Sequence, residues 1–249
     1  MMAGDCLGFP TRADWKRIYN SSPFQGLSSL LTQLESSDLG RKEESEDRLG
    51  LLELQRYLHE VKQRLGDCLR SYVLMIYYYE KGIPDKRWYQ SPGRDGHTIQ
   101  YYPDFTDTHF RIKGWFDFYA DTFYYKLFSA WDLVGHTMKV AYGLPVKKVY
   151  FTTVVEALSK KNKPLYDCLK ELQDSPAFST ARTIRNDITH NCLPSVAAFG
   201  VCRSDDSKSV SLNVSYTTSD EVVANAQEAL LLFAKTIVIL LTCARGKSA

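Results

Sequence analysis

The residues best suited to chemistry lie between Ser175 and Pro194. Arg182, Arg185, Asn186, Thr189 and His190 recur there at helical spacing. At about 100° per residue they share an arc of roughly 140° on a helical wheel. Beside them Ala177, Ala181, Ile184, Ile188 and Cys192 form an apolar stripe. Guanidinium forks grip phosphate oxygens in pairs, and imidazole exchanges protons near neutral pH. Arg and His together suffice, chemically, to cut an RNA phosphodiester without a metal. One moves protons while the other neutralises charge building on the phosphoryl oxygens. The plainer alternative is a solvated helix end, with an acid-paired Arg and a His⁺ favoured by the helix dipole.

The helix that carries these residues has recognisable ends. Ser175 is a good N-cap, Pro176 suits the first turn and Pro194 closes the segment. Other elements must hold it. Leu51, Leu54, Leu58, Val61, Leu65, Cys68, Tyr72, Met75 and Tyr79 alternate at +3 and +4, a heptad seam that predicts one long helix stopped by Gly82 and Pro84. A second long, aromatic helix is predicted from Gly114 to Tyr142, ended by Gly143 and Pro145. Shorter helices are expected at Val149–Ser159 and Pro164–Gln173. A strand is expected at Ser209–Thr217, and an apolar helix from Ser219 to about Ala244.

The fold class is therefore all-α. It is an antiparallel bundle of two long helices, the Ser175–Pro194 helix and a C-terminal apolar helix, with small irregular or hairpin insertions. Residues 1–45 read as an N-terminal arm around one short helix at Phe24–Leu34. Residues 46–249 read as one helical domain with an irregular insertion near 84–113, where Thr98–Tyr102 and His109–Lys113 could pair.

Composition narrows the partners. A net charge of +2 argues against a uniformly basic, nucleic-acid-coating protein. The six cysteines form no C-x-x-C pair, which argues against zinc and against a secreted disulfide scaffold. Cys68, Cys168 and Cys243 read as buried thiols, and the cytoplasm is the expected compartment. Ala229–Ala244, interrupted by Lys235, reads as a buried helix too short to span a bilayer, so no membrane partner is expected. No metal or cofactor motif is present. Nineteen of the 32 aromatic residues lie between Tyr72 and Trp131. At helical spacing they read as core, while Trp88, Tyr101 and Tyr102, off the helices, suit base stacking. His136 reads as a packed histidine. Asp132 is expected to serve a local structural role, with pairing to an Arg of the Ser175–Pro194 helix as the alternative. Lys160, Lys161 and Lys163 read as a solvated turn.

Arg185-Asn186-x-x-x-His190 resembles the Arg-x(4–6)-His motif of the HEPN superfamily, the higher eukaryote and prokaryote nucleotide-binding domains. Many members carry a polar residue, often Asn, straight after the Arg. Trp131-Asp132-Leu133-Val134-Gly135-His136, followed by Tyr142-Gly143-Leu144, resembles the second long helix of bacterial HEPN proteins of unknown biology. The likeness covers roughly residues 46–244. It implies a metal-independent ribonuclease of toxin or host-defence type, with Arg185 and His190 catalytic and Asn186 orienting them or the phosphate. Arg182 and Thr189 join as binding residues from the wheel. RNA or a nucleotide, a second copy of the chain, and a cognate antitoxin or regulator are the implied partners. The alternative is a non-catalytic HEPN-like module that binds RNA, a nucleotide or a partner protein. One departure is clear. Some HEPN toxins carry Tyr two residues after the His, where a nucleotidyltransferase modifies it; Cys192 stands at that position here.

Overall fold

A computed structural model describes residues 8–37, 39, 48–191, 194–197, 200–203, 210–213 and 216–245. Among them are helices α1 (Arg12–Asn20), α2 (Leu27–Glu35), α3 (Arg48–Tyr79), α4 (Asp107–Tyr142), α5 (Phe151–Leu158), α6 (Lys163–Gln173), α7 (Pro176–His190) and α8 (Ser219–Arg245). Two antiparallel two-stranded ribbons complete the set: β1 (Tyr89–Gln90) with β2 (Gln100–Tyr101), and β3 (Gly200–Arg203) with β4 (Val210–Asn213). The all-α reading holds.

The bundle is built on α3 against α4. Tyr78 stacks near Tyr119, Tyr72 meets Phe123 and Tyr57 meets His136, so the two helices run antiparallel. The heptad seam is real from Leu54 to Met75, where each named residue is buried. Leu51 is exposed instead, and Tyr79 turns its hydroxyl to Asp220 at 2.7 Å. Helix α8 closes the core with Ala226, Phe233, Ile237 and Leu240 fully buried. Trp131 donates its indole N–H to Thr236 at 3.2 Å, and the buried Tyr124 hydroxyl reaches Asn225 at 3.0 Å. By length and composition α8 is long and apolar enough to cross a membrane, contrary to the expectation that this segment is too short. Its apolar side is spent on the bundle.

The N-terminal segment differs from expectation. It forms two helices, not one, and Ile18, Phe24, Leu27, Leu31 and Leu34 are buried in the common core. Thr11 starts the first with a capping box to Asp14. Gly26, at φ 87°, supplies the left-handed residue before the second.

The insertion also differs. Tyr89 pairs with Tyr101 and Gln90 with Gln100, while His109–Lys113 lies inside α4. Thr106 caps that helix. Its hydroxyl accepts from the His109 N–H at 3.3 Å, and His109 Nδ1 accepts from the Thr106 N–H at 3.2 Å. This is a capping box closed by imidazole rather than Glu or Gln, so the usual start signal is missing from the sequence. Cys168 is exposed, since Leu165, Leu169 and Leu172 form the buried side of α6. Cys68 is buried as expected, and burial pushes its thiol far above the ordinary range.

Candidate functional site

Helix α7 starts as its sequence dictates. Ser175 Oγ accepts from the Phe178 N–H at 3.3 Å, and Pro176 occupies the first turn. Ala181 and Ile184 are buried and Ile188 is half-buried, as the apolar stripe predicted. Phe178, left out of that stripe, is the main anchor. It packs on Trp131 at 5.0 Å and Phe128 at 5.7 Å. Asn225 donates to the Ala177 carbonyl at 3.2 Å, tying α7 to α8. Cys192 lies outside the described residues.

The five predicted site residues divide into two groups. Arg185, at the edge of the apolar stripe, is half-buried, and its Nη1 donates to Asn186 Oδ1 at 3.1 Å. Its Nε is buried and has no hydrogen-bond partner among the described residues. Thr189 donates its hydroxyl to the Arg185 carbonyl at 2.8 Å, so its proton serves the helix backbone. Arg182 and His190 are exposed and make no hydrogen bond to the others. Helix geometry sets His190 about 140° around the axis and ~7.5 Å along it from Arg185. Within one chain, Arg185 and Asn186 are brought together, while His190 stands apart. Among the described residues neither Arg182 nor Arg185 enters an ion pair, so the acid-paired helix end is not what forms.

Helix α4 brings one charged group within electrostatic reach of Arg185, and a histidine one turn further on. Asp132 Oδ1 accepts the Phe151 N–H at 2.8 Å and so caps α5, the structural role expected of it. Gly135 permits this approach. A Cβ there would meet Phe151 Cα at 3.3 Å and Phe151 N at 3.4 Å. Burial raises the Asp132 carboxyl above its ordinary value, opposed by the Phe151 N–H and by the charges of Arg185 and His136. Arg185 is therefore within electrostatic reach of Asp132, although no ion pair closes. His136 lies one turn further along α4 with its ring stacked on Tyr57, centroids 4.7 Å apart and planes at 24°. Burial and then Lys139 lower its pKa, against Asp132 and Glu53, which favours the neutral ring near pH 7. Asp132-x-x-x-His136 was the available signal, since i and i+4 share a helix face. Tyr57 had none.

The rings expected to stack on bases, Trp88, Tyr101 and Tyr102, are not left open. Trp88 lies against Tyr216 at 5.2 Å and Tyr101 at 6.2 Å. Tyr102 packs on Phe105 at 4.9 Å and accepts the Ala197 N–H at 2.9 Å. These rings are half-buried in one aromatic cluster, because Tyr216 returns to fill the space beside the ribbon. The exposed rings include Tyr89 on the insertion and Phe110, Trp115, Phe118 and Tyr125 on α4. Most other rings at helical spacing, among them Phe116, Phe123, Tyr124 and Trp131, are core. Lys160 and Lys161 lie exposed in the turn before α6, while Lys163 opens that helix and pairs with Asp167 one turn on. Among the described residues no three His, Cys, Asp or Glu side chains converge as a metal-ligand set.

A bundle of this order, with Arg-Asn-x₃-His on the helix before the last, defines a HEPN-type domain. The HEPN_Cthe2314-like HEPN family model matches residues 57–243, and the chain belongs to that family. No curated protein and no solved structure matches it.

Proposed function

We propose that this chain is a metal-independent ribonuclease of toxin or host-defence type, acting in the cytoplasm as a homodimer. HEPN domains are often ribonucleases and commonly dimerise, which supports the class. The observation that carries the reading is the state of Arg185. Its guanidinium is half-buried, is steadied by Asn186, and lacks an acidic partner at ion-pair distance among the described residues. A guanidinium so placed suits a phosphate, which would supply the missing acceptors. Arg185 would neutralise charge building on the phosphoryl oxygens, and His190 would transfer protons. Arg182 and Asn186 would add contacts to the strand, with Thr189 at the edge of the same face. A second copy would bring another motif helix against the first, which answers the separation of Arg185 from His190 within one chain.

That separation also motivates a second reading, a non-catalytic module that binds RNA, a nucleotide or a partner protein. Cleavage of single-stranded RNA in EDTA by the wild type, Arg185→Ala and His190→Ala separates the two. Loss in both variants supports the ribonuclease. Equal cleavage by all three removes these residues from the chemistry. Salt-sensitive binding without cleavage selects the module.

A further inference from the structure

We propose that the cleft between α7 and the chain at Pro194 and Thr217 is a base-recognition site that takes an unpaired guanine, with Asp187 as its specificity-determining residue. Its use beside a cleavage centre rests on the ribonuclease reading. The binding of the base does not.

The cleft offers about 220 Å³, more than the roughly 150 Å³ in which a protein cavity holds a benzene ring. Thr180, Thr183, Ile184 and Asp187 line it from α7, and Pro194 and Thr217 complete it. The last two are tied together, the Thr217 N–H donating to the Pro194 carbonyl at 2.8 Å. Ile184, itself buried, and Pro194 give the cleft apolar surface against which a ring can lie.

Its polar groups are uncommitted. Helical threonines elsewhere in the chain turn their hydroxyls to the carbonyl four residues back. Thr122 and Thr189 do so at 2.8 Å, Thr236 at 2.9 Å and Thr137 at 3.0 Å. Among the described residues the hydroxyls of Thr180, Thr183 and Thr217 make no hydrogen bond, and Asp187 enters no ion pair. The Asn191 side-chain N–H donates to Asp187 Oδ1 at 2.8 Å and so fixes the carboxylate, while Oδ2 has no partner among the described residues.

Charge decides what kind of ligand enters. Of the described residues that line the cleft, Asp187 alone is charged. A carboxylate with no cation beside it repels phosphate and attracts neutral N–H donors. Guanine matches it best among the bases. Its N1–H and 2-amino group donate side by side to the two oxygens of a carboxylate, and each oxygen can accept more than one bond, so Asn191 does not block the pair. Adenine, cytosine and uracil each offer a single donor group on that edge. Guanine O6 and N7 accept from hydroxyls such as those of Thr180 and Thr183.

His190 follows Asp187 by three residues, so the two are neighbours on the helix surface. Thr183 and His190, seven residues apart, fall within about 20° of each other on the wheel. A strand whose guanine fills the cleft therefore brings its adjoining phosphate toward the motif face. Cleavage is expected next to guanine.

The test uses the full chain and three labelled, uncleavable strands: 2′-deoxy pentanucleotides of thymidine with guanine, hypoxanthine or adenine at the centre. Hypoxanthine is guanine without its 2-amino group, and the sugar is the same in all three. Fluorescence anisotropy should show the guanine strand bound about tenfold tighter than the adenine strand, with hypoxanthine between them. In Asp187→Asn, which keeps the shape and loses one acceptor oxygen, the three affinities should converge. If that variant does not fold, Thr183→Phe, at an exposed position, fills the cleft instead and should level them as well. Equal affinities in the wild type, or no binding of any strand, overturn the proposal, and so does a guanine preference that survives in the variant used. Cleavage of RNA in EDTA scores the ribonuclease reading separately. Discrimination among the strands without cleavage upholds the site and removes the ribonuclease. Cleavage at all bases alike, with equal strand affinities, does the reverse.

Discussion

Arg185 and Asn186 are neighbours in the chain and hydrogen-bonded to each other, the guanidinium Nη1 donating to the amide oxygen at 3.1 Å. Adjacent helical residues project about 100° apart and rarely face each other. The long arginine stem curls across to make this contact. The amide thereby aims the guanidinium without cancelling its charge, which a carboxylate at the same place would do.

Asn186→Ala should therefore weaken RNA affinity by up to about tenfold, the size of one hydrogen bond. Asn186→Asp should weaken it further, because the new carboxylate competes with phosphate for the same fork. Fluorescence anisotropy with a labelled RNA strand measures both. An Asn186→Asp variant that binds better than Asn186→Ala would refute the orienting role.

Asp85 is 1% exposed and receives three hydrogen bonds: from the Ser219 N–H at 2.8 Å, the Ser219 hydroxyl at 2.9 Å and the Tyr216 hydroxyl at 2.8 Å. It caps α8 from a remote part of the chain. Asp85→Ala leaves those donors buried without an acceptor and should cost about 2–4 kcal/mol. Urea denaturation at neutral pH reads this directly, and a cost below about 1 kcal/mol would show that water replaces the carboxylate.

Asp121 sits one turn from Asp117 on α4. Burial first, and then the Asp117 charge, push its carboxyl up to about 7, against Lys113. The folded chain therefore holds an extra proton relative to the unfolded chain, whose carboxyl titrates near 3.8. This contribution to stability is complete below the unfolded value and is lost as pH rises through about 7. Tm should fall between about pH 5 and 8 more steeply in the wild type than in Asp121→Asn. Asp67, Asp104 and Asp220 are shifted down, led by hydrogen bonds from Lys126, Arg87 and Tyr79, so they cost stability only at acid pH and do so in both proteins. Parallel curves for the two proteins would dismiss Asp121 as the source.

Gly135→Ala sets two effects against each other. Alanine gains up to about 1 kcal/mol of helix propensity. Its Cβ would press on the Phe151 backbone at 3.3 and 3.4 Å, where no flexible side chain can yield. Overpacking of this kind costs about 1–3 kcal/mol, so a net loss of stability is expected in thermal melts. The Asp132 cap of α5 should loosen with it. A stabilised variant would show that α5 moves aside freely.

Much of the fold was legible in the sequence, because long amphipathic helices advertise themselves. The α3 seam, the shorter α5 and α6, the Ser175-Pro176 start of α7 and the Ser219 start of α8 all follow from periodicity and capping chemistry. The failures have a common physical form. The α4 start was hidden because His109 takes the place of Glu in a capping box. The β1–β2 pairing differs from expectation because His109–Lys113, whose alternation suits a strand, belongs to the first turns of α4. The N-terminal helices were underestimated because their burial depends on α3 and α8, far away in sequence.

For the site, the sequence by itself determined the residue types and one face of α7. A regular helix turns the spacing of Arg182, Arg185, Asn186, Thr189 and His190 into angles with no knowledge of the rest of the chain. Only the tertiary structure decided which of them are steadied and which are left in solvent. It brought Asp132 within electrostatic reach of Arg185, set Tyr57 against the His136 ring, and left His190 exposed. Those relations depend on how α3, α4, α5 and α7 pack, a property of side chains up to about 130 residues apart in the chain, as Tyr57 and Arg185 are. Local periodicity carries no information across such a distance, which is why the helix was readable and its neighbours were not.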